Sequence, residues 1–194
     1  MAEQNAPLSL SIIVPVFNNQ ASLRELIRDV IEACRKICGD SFEIVLIDDG
    51  SSDNSWNIIA GNVADCVLGI RLAKNFGQHA ALKAGFAHCQ GKHIIMMDAD
   101  LEDNPRDIIT IYKKLSSGGF DVCYVNIINK NKQVLRTTSI LFQRYVNQAN
   151  HLLRGKNIGT MRGFNRKVLN SIMRYGERRP VYGPLIVSMG FKQT

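Results

Sequence analysis

The feature that most narrows the fold is a set of short runs that are apolar at nearly every position, separated by stretches with helical spacing. The runs lie at residues 10–16, 42–47, 67–72, 93–97 and 121–125. A strand with one face in water alternates apolar and polar residues, so these runs describe strands buried on both faces. Between them, residues 22–37, 52–64, 78–89 and 105–115 read as amphipathic helices. In the first of these, Leu23, Leu26, Ile27, Val30, Ile31 and Cys34 recur every three or four positions, and Ser22 with Glu25 reads as a capping box. Strand and helix in strict alternation predict an α/β fold, a mostly parallel sheet covered by helices on both faces. Ligands of such sheets collect at the carboxyl ends of the strands, here residues 15–19, 48–53, 73–77 and 98–102.

With 194 residues, 45% of them hydrophobic and 21% charged, the chain can bury a real core and is no disordered segment. Five cysteines without a CxxC pair, and no leader sequence, point to a reducing cytosol. No apolar run approaches the roughly 18 residues of a membrane span. The net charge of +7 conceals a division. Residues 1–125 hold 11 Lys and Arg against 16 Asp and Glu, a net of −5, whereas residues 126–194 hold 13 against 1, a net of +12. Two functional halves of one domain are expected, the second facing phosphates or an anionic surface.

The fourth run opens directly into carboxylates, IIMMDADLEDNP. Like charges this close are tolerated best around a hard cation. Asp98, Asp100 and Glu102 fall at period 2, which extended backbone would place on one side of the chain. They are the expected ligands of Mg²⁺ or Mn²⁺, while Asp103 or Asn104 before Pro105 suits a helix cap.

Four segments in order, SIIVPVFNN, IVLIDDGSSDNS, LAKNFGQHAALKAGF and IIMMDADLEDNP, make the chain resemble the family 2 glycosyltransferases of GT-A fold. It is most similar to the branch that loads a sugar onto a polyprenyl phosphate. GTMRGFNRKVL at residues 159–169 adds to the likeness, matching a GDFRLLDRKVL-like segment of that branch. The resemblance implies a UDP- or GDP-sugar donor, with Asp48 or Asp49 against the base and Pro15, Phe17 and Asn18 as its other wall. Lys74, Asn75 and Gly77 resemble an RNxG element near the nucleotide. Asp98 would reach ribose or sugar, and Asp100 and Glu102 the metal, which acts as a Lewis acid on the departing diphosphate. Glu102 stands where a Gln is common in the branch, Asn19 replaces a Glu, Thr160 replaces an Asp, and residues 125–128 lack a frequent Arg.

A phosphate acceptor is already an anionic nucleophile at pH 7 and needs cations more than a base. The basic half offers Lys130, Lys132, Arg136, Arg144, Arg154, Arg162 and Arg166. Arg162, aligned with the Arg of the FRL segment, is the main candidate for the acceptor phosphate, with Arg136 and Arg166 beside it. Residues 135–153 read as an amphipathic helix suited to a bilayer surface. The expected catalytic groups are therefore Asp98, Asp100 and Arg162. Expected partners are the nucleotide sugar, a polyprenyl phosphate and the cytoplasmic membrane's inner face, with a second copy of the chain as a further candidate. Two alternatives stay open. A glycan acceptor would need a carboxylate base, and the second half offers only Glu177. A non-catalytic nucleotide-binding module would not need four ordered motifs. Nucleic acid is not expected, since the basic half has few interleaved aromatics. The chain ends at 190–194 in what reads as the approach to another strand, as an excised catalytic domain would.

Overall fold

In the computed structural model, residues 8–64, 66–126, 158–175 and 180–194 are described. The order is β1 (Leu10–Val16), α1 (Leu23–Cys38), β2 (Phe42–Asp48), α2 (Ser55–Ala60), β3 (Val67–Arg71), α3 (Gln78–His88), β4 (His93–Met96), α4 (Asp107–Ser116), β5 (Val122–Asn126), β6 (Ile158–Asn165), α5 (Arg166–Arg174) and α6 (Tyr182–Ser188). One six-stranded sheet runs β3-β2-β1-β4-β6-β5. Strands β1 to β4 pair in parallel. β6 lies antiparallel between β4 and β5, so the basic half contributes a strand to the interior of the sheet. The last residues lie along the outer side of β5, where Gln193 bridges Val122 in parallel.

The apolar runs fill two cores because successive side chains leave the sheet on opposite faces. Leu10, Ile12, Val14 and Val16 pack with Leu26, Val30 and Ile111, on the side covered by α1, α2 and α4. Ile13, Val45, Ile47 and Ile94 pack with Leu82, Phe86, Leu169 and Ile186, on the side of α3, α5 and α6. Each such side chain contributes about 1.5 to 3 kcal/mol when fully buried. Helix α4 meets the sheet on bare backbone. A Cβ on Gly163 would lie 2.2 Å from Ile111 Cγ2.

Two local expectations are corrected. Ser22 precedes α1 but makes no side-chain cap. Its hydroxyl donates to the Ala99 carbonyl (2.6 Å) and to that of Asn19 (3.2 Å), tying the helix to the carboxylate loop. Helix α2 is shorter than residues 52–64, because the polar residues before it are engaged elsewhere. Ser52 N donates to Asn18 Oδ1 (2.9 Å), Asp53 accepts from Gln20 N (3.0 Å), and Asn54 N donates to Gln20 Oε1 (2.9 Å). Among the described residues no helix is long and apolar enough to cross a membrane.

Candidate functional site

The parallel register brings the carboxyl ends of β1, β2 and β4 to one edge, with Val16 beside Asp48 and Ile13 beside Met96. The loops leaving these strands brace one another. Asn18, at φ 55, donates its N–H to Ser51 Oγ (3.0 Å) while its side chain accepts from Ser52. Asn is among the few residues that adopt this backbone readily. Gly50, at φ +70, lets the second loop touch the third. A Cβ there would lie 2.5 Å from the Lys74 carbonyl carbon.

Between these loops opens a cavity of about 280 Å³. Pro15, Phe17 and Asn19 form one side, and Asp49, Asn75, Gly77 and Gln78 another. Asp98, Ala99 and Asp100 complete its lining. Seven of the expected residues thus meet in one place: Pro15, Phe17, Asp49, Asn75, Gly77, Asp98 and Asp100. Asn18, Asp48, Lys74 and Glu102 do not line it, and Arg136 lies outside the described residues, as do Lys130, Lys132, Arg144, Arg154, Glu177 and the helix expected over 135–153.

The two adjacent aspartates divide their work. Asp48 is wholly buried. It accepts from Ser51 N (3.2 Å) and faces Arg71 Nε at 3.3 Å, and that guanidinium lies 5.3 Å from the centre of the Trp56 ring. Asp48 thus lies behind the cavity wall, and of the two candidates for the base it is Asp49 that lines the cavity. Asp49 reaches the cavity and grips the third loop, accepting from Phe76 N and Gly77 N, each at 2.8 Å. Gly77 adopts φ 93 there and also donates to Asn75 Oδ1 (3.0 Å). Lys74 turns its ammonium over the exposed Phe76 ring, 5.3 Å from its centre.

The carboxylate segment is not extended beyond Met96, and Leu101 takes φ 62. The turn overturns the period-2 expectation. Asp98 and Asp100 face the cavity, while Glu102 is exposed and its N–H donates to Asp100 Oδ1 (2.9 Å). No cluster of three metal-ligating groups is assembled among the described residues. Asp103 is not a helix cap. It is buried, and its Oδ2 accepts from Asp98 N and from Thr160 Oγ1, both at 3.2 Å. The turn before α4 is held instead by Asn104 Oδ1, which accepts from Arg106 N (3.1 Å).

Burial, followed by repulsion from Asp103, pushes the Asp98 carboxyl up to about 6. Asp100 adds to the rise, and the Thr160 hydroxyl and Arg162 oppose it. A carboxylate held at such a cost is poised to take a cation. Arg162 is buried, not on the cavity lining. Its Nε donates to the Thr160 carbonyl (3.0 Å) and its Nη2 to that of Gly159 (3.4 Å), its guanidinium lies 5.8 Å from the Tyr124 ring centre, and its charge faces Asp98 and Asp103. Arg166 lies away from the cavity. It follows β6 at the opposite edge, where His93 pairs with Asn165, and its guanidinium donates to the carbonyls of Gly91 (2.9 Å) and Cys89 (3.1 Å).

Sequence reasoning passed over Gln78. Its Nε2 donates to Asp98 Oδ1 at 2.6 Å. The available signal was its place as the first residue of a helix following Gly77, directly after a strand end.

The chain resembles known proteins over the same region. The model for "Glycosyl transferase family 2" matches residues 11–173. The undecaprenyl-phosphate 4-deoxy-4-formamido-L-arabinose transferase of Salmonella paratyphi B is 38% identical over 185 residues, covering 89% of this chain and 54% of the relative. The chain therefore spans about half the length of the curated relatives it matches. Among solved structures, S. aureus TarS 1–349 in complex with UDP-GlcNAc superposes with a TM-score of 0.69 at 15% identity, covering 96% of this chain and 55% of that one. The mannosyltransferase PcManGT from Pyrobaculum calidifontis, in complex with GDP-Man and Mn²⁺, gives 0.64 at 18% identity, covering 97% and 56%. These likenesses give the GT-A fold, and with the matched residues they establish that the chain belongs to glycosyl transferase family 2.

Proposed function

We propose that the chain is the catalytic part of a glycosyltransferase that moves a sugar from a nucleotide sugar to a polyprenyl phosphate with the help of a divalent cation. The observation that carries this reading is the meeting of Asp49, Asn75 and Gly77 with Asp98 and Asp100 in one cavity at the strand ends. A nucleoside diphosphate offers imide or amide donors at one end and an anion at the other, and the two sides of the cavity complement them. The base lies against Phe17 and Asp49. The diphosphate lies toward the start of α3, whose positive end favours anions. The 38% identity to an undecaprenyl-phosphate sugar transferase supports the acceptor class.

Asp98 and Asp100 fit a hard cation, since they supply anionic oxygen and Asp98 is strained by its own charge. Mg²⁺ or Mn²⁺ held there would offset negative charge on the departing diphosphate. The remaining work falls to the chain. Gln78 orients Asp98 through Oδ1, Asp103 fixes the Asp98 backbone, and buried Arg162 adds positive potential beneath the site. A phosphate acceptor is charged at pH 7, its second pKa being about 6, and needs no strong base.

Calorimetry with UDP and GDP in Mn²⁺ and in EDTA tests the donor side. Transfer of labelled sugar from the bound nucleotide to a short-chain polyprenyl phosphate tests the acceptor side. Binding that ignores the metal, or transfer only to a non-phosphorylated glycan, would overturn the respective half.

A further inference from the structure

The two ends of the cavity are joined by a short path of protein. Asp49 holds the third loop by two amides, Phe76 N and Gly77 N. The next residue, Gln78, holds Asp98 by its amide group at 2.6 Å. A base that settles on Asp49 therefore presses on Phe76 and Gly77, the two residues directly before the glutamine that holds Asp98. A second link runs through Ser22, whose hydroxyl donates to the carbonyls of Asn19 and Ala99, and Asp103 holds the Asp98 amide.

From this we infer that Gln78 is a positioning residue that couples base recognition to divalent-cation binding through the protein, independently of any diphosphate bridging the two. The inference rests on the proposed function, which places base and cation at these two ends. Coupling of this kind is a reciprocal free energy between sites: whatever factor the base adds to cation affinity, the cation adds to base affinity. Loop and helix start form one rigid element, since Gly77 is held by both Asp49 and Asn75 and is the residue preceding α3. Ordering the loop removes freedom from Gln78 and hence from the Asp98 carboxylate it holds. Spatial adjacency alone would not establish coupling, so the test is a thermodynamic cycle.

The probe must reach the base side without touching the cation, which excludes any nucleotide. Mn²⁺ affinity is measured by the electron paramagnetic resonance of free Mn²⁺, with and without saturating uridine, and with guanosine in a parallel arm. In the wild-type chain the nucleoside that binds should tighten Mn²⁺ by roughly five- to tenfold. In Gln78→Met, close in shape but without the amide donor, the ratio should fall to about one, whatever the absolute affinity for Mn²⁺ becomes. An equal gain in both proteins would remove Gln78 from the coupling. Binding of both probes to the wild type without any gain would overturn the inference while leaving the proposed function standing. Failure of Mn²⁺ or both nucleosides to bind at all would overturn that function, and this inference with it. If Gln78→Met does not fold, Gln78→Ala serves the same comparison, and a wild-type-sized gain in it would remove Gln78 from the coupling.

Discussion

The two edges of the sheet handle buried charge in opposite ways. At the amino edge, Glu43 is buried and accepts from Ser11 Oγ (2.6 Å) and from the amide of Gly91 (3.3 Å), while Arg166 closes the carbonyls of Gly91 and Cys89. At the carboxyl edge, Asp98 carries a carboxyl pushed up to about 6, chiefly by burial, and Asp100 stands exposed at a cavity wall. Each edge pairs acid with an arginine from one end of β6, Arg162 within the strand and Arg166 directly after it. One set satisfies its own hydrogen bonds and stabilises the fold, while the other is held ready for a partner. Charge by itself therefore does not mark a site. A carboxylate that the protein leaves partly uncompensated does.

The sharpest way to break the comparison is at Asp100. Asp100→Ala should lower Mn²⁺-dependent nucleotide affinity by about a hundredfold or more, on the order of 3 kcal/mol, with an unchanged thermal midpoint. Calorimetry and thermal unfolding on one preparation decide it, and a variant that loses stability instead would place Asp100 among the structural acids.

Arg166→Ala should behave in the opposite sense. Removing a guanidinium that satisfies two carbonyls should cost about 1.5 to 3 kcal/mol of stability, while nucleotide affinity and transfer per folded molecule stay the same. A transfer defect at full stability would restore the acceptor role that its sequence position first suggested.

Asp98 gives the comparison a pH axis. Its folded pKa is raised above the unfolded value of 3.8 to about 6, so between these values the folded protein holds a proton that the unfolded chain has released. The contribution is fully present below the unfolded value and is lost as pH rises through about 6. Metal-free Asp98→Asn should lose this dependence and exceed the wild type in stability at pH 7.5, by an amount on the order of 2 kcal/mol. Urea titrations between pH 4 and 8 in EDTA measure it. Parallel curves for both proteins would show that Asp98 is not held uncomfortably.

Much of this division was legible in the sequence. The strand runs gave the parallel sheet because burial on both faces leaves no polar alternation, and the strand ends gave seven residues of the cavity. What failed depended on turns and on which way a side chain leaves the backbone. Asp48 and Asp49 are adjacent and chemically identical, yet the strand's alternation sends Asp48 into the protein beside Arg71. Glu102 was grouped with Asp98 and Asp100 on the assumption of extended backbone, which the positive φ of Leu101 breaks. Arg166 follows an antiparallel strand that no local pattern announced, and that direction alone carries it to the far edge. Gln78 bears no charge, so a search for charged groups passes it by.

The smallest effect concerns the tie between the first helix and the carboxylate loop. Ser22 was expected to cap α1, where loss of the hydroxyl would weaken the helix and leave the site alone. Its hydroxyl instead donates to the Ala99 carbonyl at 2.6 Å, between Asp98 and Asp100. Ser22→Ala should therefore cost about 1 kcal/mol of stability, and it should also weaken Mn²⁺ binding, by roughly two- to fivefold, because the two acids lose a shared anchor. Ser22→Thr keeps the hydroxyl and should recover most of the Mn²⁺ affinity. Measured Mn²⁺ affinity separates the two readings, since a cap lost from α1 would lower stability alone. An unchanged affinity in Ser22→Ala would return this residue to the set that serves only the fold.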